Sequence, residues 1–264
     1  MNTSEKGVAL VTGASAGIGA IYADRLAKRG YDLILVARNV ERLNAVAERL
    51  KAETGRKVEV LVADLGAKAD LAKVEAVLRD DPRITLLVNN AGFGGVAPLL
   101  QSNVDTMQEM IDVNVSALTR LTYAAAPAFA ARGKGGFINI SSIVAVGPEI
   151  LNGVYGATKA YVLALSHSLQ HELGDKGVRV QAVLPGATAT EFWDVAGLPH
   201  AHLDQSIVMR ADAMVDAALA GFDQGELVTI PSLQDGDAWL RFEADRKALS
   251  GKFGHSTPAP RYAA

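Results

Sequence analysis

Short, uninterrupted apolar runs alternate with longer stretches in which apolar residues recur every three or four positions, and this alternation governs the first half of the chain. Val8 to Val11 is such a run and reads as a buried parallel strand. A glycine-rich turn and a helical stretch from Ile18 to Lys28 follow, and Gly30 ends that helix. The pattern then predicts a strand over Asp32 to Ala37, a helix over Val40 to Glu53, a strand over Val58 to Val62, a helix from about Lys68 to Asp80 and a strand over Ile84 to Val88. Repeated strand–helix units of this kind require a parallel sheet covered on both faces, so the expected fold is α/β and doubly wound. Such sheets bind ligands at the carboxyl ends of their strands, where Arg38, Asp64, Asn90 and Ser142 all fall.

Beyond residue 100 the pattern predicts a long helix from about Asp105 to Ala131, a strand over Phe137 to Ile140, a helix carrying Tyr155 that ends near Gly174, and a strand over Val178 to Leu184 closed by Pro185 and Gly186. Residues 187–210 have mixed composition and are long for a connector, which predicts a substrate lid or binding loop. A helix over Ala211 to Phe222 and a strand over Leu227 to Ile230, stopped by Pro231, complete the regular pattern. The tail, about 250–264, holds Pro258 and Pro260 and is expected either to be disordered or to lie along a neighbouring subunit. A chain of 264 residues fits a single α/β domain.

Composition narrows the function. Hydrophobic residues make up 49% and charged residues 21%, as in a globular enzyme, and a net charge of -3 provides no footprint for nucleic acid or an anionic membrane. The absence of cysteine excludes disulfides, thiolate catalysis and cysteine-ligated metals. Glu5 and the glycines at 13, 17 and 19 break what would be a secretory leader, and Arg120 and Pro127 interrupt the longest apolar stretch, so a cytoplasmic, unanchored protein is expected. His167 and His171 have metal-ligand spacing but lack an obvious third ligand, and no metal site is expected.

Three patterns carry candidate chemistry. Gly13, Gly17 and Gly19, between a strand and a helix, form a phosphate cradle, because glycine admits close backbone approach and the helix start presents free N–H groups. At the end of the second strand stands Arg38 where an NAD site would place a carboxylate, and a guanidinium there favours a 2′-phosphate, hence NADP over NAD. Tyr155 and Lys159 lie one helical turn apart. An ammonium ~4 Å from a phenol is worth roughly 4 kcal/mol at an effective dielectric of ~20, about three pK units, which would bring the phenol near neutrality. The same Y-x-x-x-K spacing also occurs in helices where a tyrosine packs beneath a snorkelling lysine. Asn114, polar among apolar neighbours, is either a satisfied structural amide or part of the site.

Taken in order, T-G-x-x-x-G-x-G at 12–19, N-N-A-G at 89–92, Asn114, Ser142, Y-x-x-x-K at 155–159 and P-G-x-x-x-T at 185–190 resemble the short-chain dehydrogenases and reductases, in their single-domain branch, over about residues 6–231. The resemblance implies a Rossmann fold with a seven-stranded parallel sheet and a catalytic tetrad of Asn114, Ser142, Tyr155 and Lys159. Tyr155 would protonate the carbonyl oxygen, Ser142 would hold it, and Lys159 would lower the tyrosine pKa, bind the nicotinamide ribose and pass protons through a water on the Asn114 backbone. By the same resemblance Gly13, Ser15, Gly17, Ile18 and Gly19 hold the pyrophosphate, Asp64 and Leu65 the adenine, and Asn90, Ala91 and Gly92 the ribose. Pro185, Gly186, Thr188 and Thr190 lie near the nicotinamide. Phe93, Val144, Leu151 and Phe192, with Ser142 and Tyr155, would line an apolar substrate pocket. Ala16 stands where some NADP-dependent members carry a basic residue, so the NADP expectation rests on Arg38. The implied activity is reversible, NADP(H)-dependent carbonyl reduction of a ketone, aldehyde or 3-oxo group by a homo-oligomer, a tetramer or dimer. Alternatives are a 3-oxoacyl-carrier-protein reductase, for which Arg120 and Arg132 could serve a basic patch, and a catalytically silent dinucleotide-binding sensor or scaffold.

Overall fold

In the computed structural model, which describes residues 5–262, the apolar runs pair into one sheet of seven parallel strands. The chain divides into a unit ending at Pro231 and a second beginning at Ser232. The first unit opens with β1 (Val8–Thr12), α1 (Gly17–Lys28), β2 (Asp32–Ala37), α2 (Val40–Thr54), β3 (Val58–Val62), α3 (Lys68–Asp80) and β4 (Ile84–Asn89). It continues with α4 (Val104–Ile111), a π-helical turn (Asp112–Ala117), α5 (Leu118–Arg132), β5 (Gly135–Ile140), α6 (Gly153–Leu173) and β6 (Val178–Val183). It closes with β7 (Thr188–Ala189), α7 (Phe192–Ala196), β8 (Met209–Arg210), α8 (Ala211–Gln224) and β9 (Val228–Thr229).

The sheet order is β3-β2-β1-β4-β5-β6-β9. Because the strand period is two, Ala9 and Val11 face one side while Val8 and Leu10 face the other. The first side is covered by Leu26 of α1, Leu43 and Leu50 of α2 and Val215 of α8. The second is covered by Val74 of α3, Leu121 and Phe129 of α5 and Leu169 of α6. The strand order reverses direction between β1 and β4, so the crevice at their carboxyl ends is the natural ligand position of a doubly wound sheet. Among the described residues no helix is long and apolar enough to cross a membrane.

Several elements differ from the sequence expectation. The helix expected over Asp105 to Ala131 is broken by the π turn at Asp112–Ala117, which inserts one residue into the i→i−4 ladder and so shifts every later side chain around the axis. β5 begins two residues early, at Gly135, where pairing with Val178 of β6 starts; the Phe129 ring lies on its bare backbone, and a Cβ there would sit 2.3 Å from the ring. The last strand is only Val228–Thr229, paired with Ala182 and Val183 of β6. Residues 187–210 contain a two-stranded parallel ladder, with Thr188 opposite Met209 and Ala189 opposite Arg210, and α7 between its strands.

The second unit contains α9 (Gly236–Ser250), capped by the Asp235 carboxylate on Asp237 N–H. None of its helical residues is buried, and Trp239 and Phe242 stack with centroids 5.2 Å apart. A single 3₁₀ turn, Pro260–Tyr262, ends the described tail, whose last two residues lie outside the described residues.

Candidate active site

The glycine turn after β1 is held from below. Thr12 Oγ1 donates to Val88 O at 3.2 Å and accepts the N–H groups of Asn90 and Ala91, both at 3.0 Å, which ties β1 to the segment following β4. Asn90 returns the connection, its Nδ2 donating to Thr12 O at 2.9 Å and Gly13 O at 3.3 Å. Its amide is therefore engaged with the turn itself. Gly13 and Gly17 adopt left-handed φ values of 67° and 52°. At Gly19 a Cβ would lie 2.2 Å from Gly13 O and 2.5 Å from Asn90 Nδ2, so only glycine closes the turn against the helix. Ala16 caps α1 without a side-chain acceptor and the first turn carries no acidic residue, leaving its N–H groups for an anion. Ser15 and Ile18 are half-buried in the same turn. This arrangement fits a dinucleotide pyrophosphate.

At the end of β2 the Arg38 side chain is 78% exposed, with Nη1 4.0 Å from Asp64 Oδ2. Asp64 is positioned by its own backbone, Oδ1 accepting from Gly66 N–H at 2.9 Å, and Leu65 beside it is buried. Arg38, Asp64 and Leu65 thus gather at one end of the crevice.

The other end is built on β5 and α6. Ser142 follows β5, buried, with its hydroxyl 3.4 Å from Val144 N and 3.5 Å from Pro185 O. Asn152 caps α6, accepting from Val154 N–H at 2.9 Å and Tyr155 N–H at 3.3 Å, and so sets where the tyrosine emerges. Tyr155 is 6% exposed, and Lys159, one turn later, is likewise 6% exposed. Lys159 Nζ donates to Ile140 O at 2.9 Å and stands 5.7 Å from the centroid of the Tyr155 ring. Asn114 is fully engaged: Oδ1 accepts from Phe93 N–H at 3.1 Å, and Nδ2 donates to Phe93 O at 2.9 Å and Thr158 Oγ1 at 3.1 Å. Its side chain is a structural amide that joins the π turn to α6 and to the segment after β4. Gly92 lies between Asn114 and Lys159; a Cβ there would meet Asn114 Oδ1 at 2.8 Å and Lys159 Nζ at 3.6 Å.

The expected lowering of the Tyr155 pKa is not what this arrangement gives. Burial pushes the phenol up to about 12, opposed by the hydrogen bond with Ser142. Burial is the larger cause, and the Lys159 ammonium is bonded to the Ile140 carbonyl while standing over the ring. Burial also brings Lys159 down to about 8.

Tyr155 packs in an apolar cluster with Met110 and Val144, flanked by Phe93, Met107, Leu151, Val154 and Phe192. All four apolar residues expected at the pocket are in it. Thr188 donates to Gly186 O at 3.0 Å, and Thr190 accepts from Phe192 N–H at 3.3 Å while lying over Gly17. Ala91 is tied by its N–H to Thr12, Gly92 lies against Asn114, and Pro185 O accepts from Ile143 N–H at 3.0 Å.

Sequence reasoning missed the supporting residues. Ser141 donates to Lys159 O at 2.7 Å and anchors α6 to β5, and Met107 and Met110 wall the pocket from a helix distant in sequence. Thr12 stands inside a quoted motif, yet its role as a three-bond junction needed the partner strand to be visible.

Comparison with known proteins agrees with the geometry. The family described as short chain dehydrogenase matches residues 7–197. The structure of a short-chain dehydrogenase from Sphingobium yanoikuyae in complex with NADPH superposes with a TM-score of 0.95 at 48% identity, covering 97% of this chain and 100% of that one. A bulky-bulky ketone specific alcohol dehydrogenase from Comamonas testosteroni gives a TM-score of 0.90 at 44% identity, covering 98% and 99%. A very-long-chain 3-oxoacyl-CoA reductase of Anas platyrhynchos is 37% identical over 189 residues, 70% of this chain and 60% of that protein. With its Rossmann sheet, glycine cradle and ordered Ser-Tyr-Lys site, the chain belongs to the short-chain dehydrogenase family and is an oxidoreductase of alcohol and carbonyl groups.

Proposed function

We propose that the protein interconverts a ketone bearing bulky apolar substituents and its alcohol, using NADP(H) in preference to NAD(H), with Tyr155 as the general acid and base. The observation that carries this reading is the Tyr155 phenol enclosed by Met110, Val144, Phe93, Leu151 and Phe192, with Ser142 beside it and Lys159 one turn on. An apolar wall around one polar edge suits a hydrophobic carbonyl better than a sugar. The Comamonas enzyme's described specificity supports the same substrate class. For the cofactor, support comes from the exposed Arg38 guanidinium at the Asp64 end of the crevice and from the NADPH complex of the Sphingobium relative.

The glycine turn would hold the pyrophosphate, Arg38 the 2′-phosphate, and Lys159 the nicotinamide ribose. Bound NADPH supplies the hydride. Ser142 Oγ holds the carbonyl oxygen by donating a hydrogen bond, and Tyr155 Oη delivers its proton to that oxygen. A phenol raised to about 12 is protonated throughout the neutral range, which suits the reductive direction. Alcohol oxidation needs the phenolate, which the high phenol pKa confines to the alkaline side.

The carrier-protein alternative has weaker support, because Arg120 is bonded to Glu75 and Arg132 to the carbonyls of Pro82 and Ile84. Self-association is part of the proposal, supported by the exposed Tyr123 and Tyr161 rings on α5 and α6. Light scattering on the purified protein tests it: a dimer or tetramer is expected, and a monomer at micromolar concentration refutes it.

Tyr155→Phe tests the chemistry. The variant is expected to bind NADPH while ketone turnover falls at least about a hundredfold. Retained turnover removes Tyr155 from the proposed role.

A further inference from the structure

Three consecutive side chains after β7 cross the mouth of the crevice. Thr190 lies over the glycine turn, with its Cβ 3.6 Å from the position of a Cβ on Gly17. Glu191 is bonded to Arg42 of α2 at 2.6 Å. Phe192 lies on the Tyr155 ring, centroids 5.7 Å apart and planes tilted by 44°. The backbone carrying Phe192 is anchored on both sides, by Trp193 Nε1 donating to Thr188 O at 2.9 Å and by Val96 N–H donating to Ala196 O at 3.3 Å. The Phe192 ring itself is half-buried, and its seat depends on one missing atom. A Cβ on Gly94 would stand 2.5 Å from Phe192 Cζ, 3.0 Å from Cε2 and 3.2 Å from Tyr155 Cδ2. A rigid aromatic ring cannot yield by that much and keep its place.

We propose that Phe192 is the size-selecting wall of the substrate pocket and that Gly94 is its positioning residue. Seated in the notch left by Gly94, the ring limits the carbonyl substituent admitted on that side of Tyr155. Gly94 acts only through the ring, so its effect vanishes when the ring is gone. The proposal rests on Tyr155 being the proton donor.

The test measures kcat/KM with NADPH for acetophenone, propiophenone and benzophenone in the native protein, Phe192→Ala, Gly94→Ala and the double variant, with Tyr155→Phe alongside. Phe192→Ala is expected to raise the benzophenone-to-acetophenone ratio about tenfold, the scale on which apolar pockets discriminate size. Gly94→Ala shifts the ratio in the same direction by displacing the ring. In the Phe192→Ala background it changes the ratio less than about twofold, a non-additivity that a structural role for Gly94 would not produce. An unchanged ratio in Phe192→Ala, or a full Gly94→Ala effect in that background, overturns the proposal. Should Gly94→Ala not fold, Phe192→Leu and Phe192→Trp replace it, with the ratio expected to rise for leucine and fall for tryptophan; any other order overturns the wall. Turnover surviving in Tyr155→Phe overturns both the proton-donor reading and the wall built on it. Turnover lost there with an unchanged size ratio in Phe192→Ala overturns the wall alone.

Discussion

Lys159→Met should make the ligand-free protein more stable while abolishing its turnover. The lysine is 6% exposed, and burial brings its pKa from 10.5 to about 8, so at pH 7 the fold carries a buried ammonium. At about 1.4 kcal/mol per tenfold change in proton affinity, that displacement corresponds to roughly 3 kcal/mol of destabilisation. Against it stands the loss of the charge-assisted bond to Ile140 O, worth about 1.5–3 kcal/mol. Methionine fills a similar volume without charge, so a net gain of up to about 1.5 kcal/mol is expected, or a Tm up to about 5 °C higher in a unit of this size. The sign follows from linkage. With the folded pKa below the unfolded one, the native protein's disadvantage is fully present below about pH 8 and is relieved as pH rises toward 10.5. Tyr155, raised to about 12, is common to both proteins and cancels in the difference. Urea melts of both proteins at pH 7, 8.5 and 10 measure the gap directly. A variant less stable than the native protein at pH 7, or a gap that does not narrow toward pH 10, refutes the burial argument.

Arg38→Ala is expected to weaken NADPH binding about tenfold or more while changing NADH binding less than twofold, read by quenching titrations; equal losses would refute the 2′-phosphate contact. Gly19→Ala, which places a Cβ 2.2 Å from Gly13 O, should reduce the affinity for both cofactors at least about tenfold in the same titration. Asn114→Ala leaves the Phe93 backbone groups without their side-chain partner and should cost about 2–3 kcal/mol in a urea melt, whereas a change below 0.5 kcal/mol, the order of an ordinary surface substitution, would deny it a structural role. For ketone reduction, kcat/KM should be flat up to about pH 8 and fall above it as Lys159 loses its proton, whereas alcohol oxidation should rise on the alkaline side as the phenol ionises.

How much was legible depended on whether the relevant signal was local. The strands from Val8 to Asn89 are apolar runs bounded by turn residues, so the elements of that half and their parallel, doubly wound arrangement could be read directly, while the order β3-β2-β1-β4 is seen only in the structure. The π turn around Asn114 could not, because one inserted residue hardly disturbs a helical period over two turns. Strands of two residues, as in β7 and β8, carry no period at all, whereas β9 lies within the apolar run Leu227 to Ile230 that the sequence marks as a strand. The helix Gly236–Ser250 went unread because its apolar residues, Trp239, Leu240, Phe242 and Leu249, form no buried face. At the site, Tyr155 and Lys159 share one helix turn, Ser142 follows β5 and Asn114 lies in the π turn bonded to Thr158 of α6. Electrostatics was the part read wrongly, because spacing along a helix gives the angle between two side chains and says nothing of how deeply both are buried or which carbonyl claims the ammonium.

The reciprocal bonds between Thr12 and Asn90 have a thermodynamic consequence. A glycine-rich loop that ordered only around its ligand would surrender backbone entropy at every binding event, on the order of 1–2 kcal/mol per residue. Here the carbonyls of Thr12 and Gly13 are already held by the Asn90 amide, and the Thr12 hydroxyl holds two amides from the neighbouring strand end. The ordering cost of the cradle is thus met during folding, when the whole sheet forms cooperatively, and the dinucleotide meets a rigid template whose affinity reflects contacts made rather than chain immobilised.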